Sequence, residues 1–237
     1  MYHKKIKALV TIALVLVCSL AIFSQTEDVS NLSSWNAVGL KYKLNKKWSF
    51  TGEQHLRFKE GFTEVDSYFS QLEAEYKIIK KFSLGLGLRF IRDNDTEGSW
   101  QGYENHFRYH LDAMFKQKLS RFSLGARLRY QNKNELGITT EEGDYAKNNV
   151  RLKGSLGYNI KKWPLDPKFD AEIFNSYQEG DEDNGFSKYR LTIGTDFKLK
   201  KLGKIKVYYR FQKDVNVEVP EIENIIGLKY TYTIKNK

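Results

Sequence analysis

Long stretches of this chain alternate apolar and polar residues, and few folds can use that pattern. Phe82, Leu84, Leu86, Leu88 and Phe90 share one parity while Ser83, Gly85, Gly87 and Arg89 share the other. Further on, Tyr103, Phe107, Tyr109, Leu111 and Phe115 oppose Glu104, His106, Arg108, His110 and Asp112. Successive side chains of a strand point to opposite faces, so each stretch predicts a strand with one apolar and one polar face; no helical period fits. Five short, mostly basic segments punctuate them: KKWSF from Lys46, KKFSL from Lys80, SRFSL from Ser120, KKWPL from Lys161 and KKLGK from Lys200. Basic turn, strand out, loop, strand back is the repeating unit of an up-and-down barrel.

Eleven strands are visible, at 35–44, 48–59, 65–78, 82–92, 102–117, 122–132, 146–160, 168–177, 187–199, 204–212 and 222–234. An odd number of antiparallel strands cannot bring both ends of the sheet to one rim. Residues 25–34 are therefore expected either to cross as a weak extra strand or to pass through the lumen, and an all-β, antiparallel, up-and-down transmembrane barrel of about 12 strands is the preferred solution.

Alternation also describes a soluble barrel or sandwich with its apolar face inward. Three features favour the inverted arrangement, apolar face outward. Large aromatics sit near both ends of the apolar faces, as at Trp48 and Phe58, Phe82 and Phe90, Phe122 and Tyr130, Tyr189 and Phe197, which suits two interfacial girdles. The strands run to about 10 residues or more, the length that a tilted membrane strand needs. Pro164, Pro167 and Pro220 fall at turns, loops or a strand start, where no ladder hydrogen bond is lost.

The first residues predict export. Lys4, Lys5 and Lys7 precede an apolar run from Ala8 into Phe23, and small Ser24 follows. The run falls short of the roughly 20 residues of a spanning helix, so 1–24 is read as a cleaved signal peptide, 25–34 as an N-terminal segment or weak first strand, and 35–237 as the barrel. Cys18 sits in the run behind branched Val17, not the small residue that a lipoprotein signal wants, and leaves with it. The mature chain then has no thiol or disulfide chemistry. Cleavage lowers the net charge from +10 to +7, because it removes three lysines and no acid. For an exported chain, anionic lipid and lipopolysaccharide are the expected counter-charges, and no nucleic-acid partner is expected.

The polar faces place Glu53, His55, Arg57, Glu73, Glu75, Arg89, Glu104, His106, Arg108, His110, Asp112, Arg127, Arg129, Arg151, Asp170, Glu172, Arg190 and Arg210 toward the lumen. Charges in a narrow interior need partners, because desolvating them alone costs too much. Neighbouring strands are expected to oppose signs, with Glu53 and Arg57 near Glu73 and Glu75, and Arg151 near Asp170 and Glu172. A closed, salt-bridged barrel with a structural or surface-interaction role is one outcome. A narrow channel for small solutes, with weak anion selectivity from its basic excess, is the other. Short basic turns at one rim and acidic loops at the other (Asp93, Asp95, Glu97; Glu141, Glu142, Asp144; Glu179, Asp181, Glu182, Asp183) give the ends opposite charge.

Enzymatic chemistry finds little support. His106 and His110 share a strand face with Asp112, but residues four apart on a strand stand about 13 Å apart, too far to share one metal. No serine lies obviously beside a histidine with an acid to orient it. No catalytic residue, metal ligand or cofactor is assigned. The glycines Gly85, Gly87, Gly125, Gly154 and Gly157 read as strand positions that admit bulky neighbours or curvature.

Early Trp35 and the runs KLNKKWSF at 43–50, QHLRF at 54–58, KKFSLGLGLRF at 80–90, YENHFRYHLD at 103–112, RFSLGARLRYQNK at 121–133 and KYRLTIGTDFKL at 188–199 carry a resemblance over essentially the whole mature chain. In order and spacing they resemble a family of outer-membrane barrels catalogued as domain of unknown function 2490 (DUF2490). The resemblance implies the outer membrane of a Gram-negative bacterium, with the barrel-assembly machinery as a partner during insertion. It carries over no activity to any residue.

Overall fold

The computed structural model describes residues 29–96, 101–142, 144–161, 163–180, 184–199 and 202–236. The predicted signal peptide and the acids Glu97, Asp181, Glu182 and Asp183 lie outside them. Eleven strands form one closed barrel: β1 (Val29–Lys43), β2 (Trp48–Lys59), β3 (Glu64–Lys77), β4 (Phe82–Asp95), β5 (Gly102–Leu119), β6 (Phe122–Glu135), β7 (Lys147–Tyr158), β8 (Leu165–Tyr177), β9 (Gly185–Lys198), β10 (Lys204–Asp214) and β11 (Glu221–Lys235).

Each strand pairs antiparallel with the next, so the predicted meander is present. Among the described residues, which leave out 25–28 of the expected extra strand, a twelfth strand is not. Residues 29–34 are the first part of β1, which runs on without a break to Lys43. The parity problem is solved at the seam, where β1 pairs with β11 in parallel from Val29 opposite Glu221 to Lys43 opposite Lys235. With an odd number of strands, β1 starts and β11 ends at opposite rims, so the two can close only by running the same way.

The walls are inverted relative to a water-soluble barrel. Outward, Leu72, Val38 and Ile193 are 66%, 58% and 56% exposed, and Leu88, Leu111, Leu128, Leu152, Ile173, Val207 and Leu228 carry the same apolar surface around the middle of seven further strands. Aromatic contacts cap this belt on the outer face toward both rims. Toward the turns lie Trp48 with Tyr76 (4.7 Å between ring centroids) and Phe122 with Tyr158 (4.9 Å). Toward the loops lie Tyr68 with Tyr103 (5.9 Å) and Tyr189 with Phe211 (6.0 Å). Inward, the buried side chains are mostly polar, among them Glu53, Gln71, Arg89, Arg108, Asp112, Arg129, Arg151 and Glu172.

Two bulges interrupt the ladders. The register shifts beside Arg57 where β2 meets β3, and beside Phe174 where β8 meets β9. A bulge bends its strand and re-aims the adjoining side chains, and both of these adjoin lumenal residues described next.

Candidate functional site: an arginine-lined lumen

Because the strands alternate, one arginine after another is delivered to the same interior. Arg57 (β2), Arg89 (β4), Arg108 (β5), Arg127 and Arg129 (β6), Arg151 (β7), Arg190 (β9) and Arg210 (β10) line one cavity of about 620 Å³. Thirteen of its lining side chains are Lys or Arg and five are Asp or Glu. Cations even face each other across adjacent strands: Arg89 opposite Arg108, Arg129 opposite Arg151, and Arg127 opposite Lys153. Like charges directly opposite are destabilising; two about 8 Å apart repel by roughly 2 kcal/mol at an effective dielectric constant near 20.

Two carboxylates offset part of this. Arg129 donates from Nε and Nη2 to the two oxygens of Asp112 at 2.6 and 2.7 Å, a bidentate pair. Glu172 serves three arginines: Arg127 Nη2 at 2.5 Å, Arg151 Nε at 3.1 Å, and Arg190 Nη1 at 3.6 Å. The expected pairing of Arg151 with Glu172 is therefore present. The expected grouping of Arg57 with Glu73 and Glu75 is not: Glu53 is engaged by Lys229 and by His55, and Arg57 turns to aromatic rings instead.

Those rings form a second component of the wall, one missing from the sequence-derived inventory. Arg57 lies with its Cζ 3.7 Å from the centroid of Trp35 and 4.8 Å from that of Phe69. Arg89 covers the same Phe69 at 3.7 Å. Arg151 and Arg190 flank Phe174 at 4.3 and 4.8 Å, and Arg210 lies between Trp35 and Tyr208 at 4.9 and 4.8 Å. An aromatic face attracts a guanidinium and lets it shed part of its water. Parity was the available signal: Phe69 shares that of Gln71 and Glu73, Phe174 that of Asp170 and Glu172, and Tyr208 that of Lys206 and Arg210.

Not every predicted lumenal residue reaches this cavity. Glu75 lies at the turn side, bound by Lys41 at 3.3 Å and Ser83 at 3.1 Å. Glu104 and His106 pair toward the loop side at 3.2 Å, with Asp93 3.5 Å from the same imidazole. His110 is 1% exposed, with Nε2 3.5 Å from Glu73, and it lies against Gly87, where a Cβ would fall 2.1 Å from its ring. Among the described residues, no group of three or more His, Cys, Asp or Glu is arranged to hold a metal.

A second cavity of about 650 Å³ extends toward the basic turns, lined by Lys80, Lys81, Lys116 and Lys118. Both cavities are walled by Arg127, Lys153, Asp170 and Lys206, so the loop-side and turn-side spaces adjoin at this collar of side chains.

The model of the family described as "Protein of unknown function (DUF2490)" matches residues 32–218. The chain belongs to the DUF2490 family. The match runs from within β1 through β10, so the predicted resemblance holds over most of the barrel of this DUF2490 protein, while β11, which closes the seam, lies beyond the matched span. A search of curated proteins returns no match.

Proposed function

We propose that this DUF2490 barrel spans the outer membrane and conducts small anions through its lumen. Support for the membrane comes from the outer wall, where an aliphatic belt between aromatic contacts meets what a lipid bilayer asks of a spanning barrel. In water the same surface would be an aggregation liability. Short turns then face the periplasm and longer loops the exterior, with lipid and lipopolysaccharide as the surrounding partners.

The observation that carries the conduit is the interior itself: two cavities that share the Arg127, Lys153, Asp170 and Lys206 collar, with cations well in excess. A cationic lumen raises the local anion concentration and repels cations, an effect that salt screens. Planar-bilayer recording tests it. Single-channel currents with an anion preference that declines as salt rises are expected; a silent bilayer or a cation preference overturns the proposal.

One observation favours a second reading. Glu172 binds arginines from β6, β7 and β9 while standing on β8, cross-bracing four strands inside the lumen. A barrel held shut by such bridges would be a scaffold or surface-interaction protein, and a silent bilayer selects this reading.

A further inference from the structure

The lumen neutralises its cations selectively. In the facing pair Arg129 and Arg151, each guanidinium is paired with a carboxylate, Asp112 for Arg129 and the shared Glu172 for Arg151. Arg89 and Arg108 face each other in the same manner, yet among the described residues neither has a carboxylate within 4 Å. Arg89 donates from Nε and Nη2 to Gln71 Oε1, a neutral acceptor. Gln71 is itself oriented by donating to Glu73 at 2.7 Å. Arg108 is more than nine-tenths buried, and its Nε has no partner. Arg57 also lacks a carboxylate and has an unpartnered Nε, and its guanidinium shares the Phe69 ring with that of Arg89.

We propose that Arg57, Arg89 and Arg108 form a binding site for a multiply charged oxyanion, with carboxylate or phosphate oxygens supplying the counter-charge that the chain withholds. Three guanidinium forks match the oxygens of such an ion, and all three line the same cavity, part-desolvated. Stacking on Phe69 and the Gln71 bond hold Arg57 and Arg89 in place without neutralising them. Chloride brings a single charge and no oxygens to fit the forks. The inference rests on the conduit reading only in that solutes must reach the lumen.

Calorimetric titration of the folded chain in an uncharged detergent tests it, using inorganic phosphate, citrate and chloride at matched ionic strength. Phosphate or citrate is expected to bind at least tenfold more tightly than chloride. Arg108→Met is expected to lose at least tenfold in that affinity. In chloride buffer it should also melt at a higher temperature than the parent, because it removes an uncompensated charge, which a purely structural arginine would not do. Arg57→Met provides a second, independent affinity test. Equal binding of all three anions, or variants that fold and bind as the parent does, overturn the site, as does an Arg108→Met barrel that melts lower. Bilayer recordings of the same preparation separate the two proposals: anion current without oxyanion binding removes the site and keeps the conduit, whereas binding by a silent barrel removes the conduit and keeps the site.

Discussion

Glu172 shows what one carboxylate does when three arginines depend on it. Its oxygens are the acceptors for Arg127 and Arg151 and stand 3.6 Å from Arg190, and the residue is only 6% exposed. Glu172→Gln leaves those guanidinium groups without their common counter-charge and is expected to destabilise the barrel by about 3 kcal/mol, the range found when one partner of a buried ion pair is removed. Urea unfolding in lipid vesicles reads that loss, and under the conduit proposal the reversal potential of the variant moves further toward anion selectivity. At this scale the polar half of the lumen was legible, since Arg89, Arg108, Arg129, Arg151 and Glu172 alternate strictly with apolar neighbours. The aromatic half was not. Phe69 and Phe174 are 2% and 6% exposed although they stand on the polar face, because a guanidinium makes an aromatic ring a suitable lumenal residue, and patterning by hydrophobicity alone assigns such rings to the outside.

Among the elements, β10 depends most on its neighbours for room. The ring of Tyr208 lies over the backbone of β11 at Gly227, where an added Cβ would fall 1.9 Å from its Cζ, while on the β9 side a Cβ at Gly194 would fall 2.7 Å from the Tyr208 Cβ and from the Val207 carbonyl oxygen. Gly227→Ala is expected to cost roughly 1–3 kcal/mol by overpacking. Combining it with Tyr208→Ser should recover most of that loss, and a double-mutant cycle from vesicle unfolding measures the coupling. The role foreseen for glycine, making space for a bulky neighbour, is met at Gly87 beneath His110, whereas Gly154 would meet nothing within 4 Å. Ten of the strands were legible within a few residues. The extent of β1 was not: Ser30, Asn31, Ser33 and Ser34 alternate poorly, and their strand conformation is imposed by β11, almost two hundred residues away, which no local pattern encodes.

For the whole molecule, the inverted walls make opposite demands on one residue depending on the solvent outside. Leu72 is the most exposed apolar residue near the middle of a strand. Leu72→Arg is expected to destabilise the barrel in vesicles by about 2–4 kcal/mol, the cost of placing that side chain near the bilayer midplane. No loss on vesicle unfolding would speak for a water-facing wall and against the membrane. The barrel class was legible because alternation repeats strand after strand, but strand number is a closure property of the complete sheet, and the parity argument that pointed to twelve assumed an antiparallel seam. The parallel seam bears on how the chain could be rewired. In an even-stranded barrel a short peptide can join the last strand to the first, and new termini can be opened at any loop. Here the start of β1 and the end of β11 are separated by the height of the wall, roughly 35 Å for fifteen residues rising about 3.3 Å each at a tilt near 40°. A circularising linker would have to thread the lumen itself, so a permuted barrel of this kind would be a plugged one.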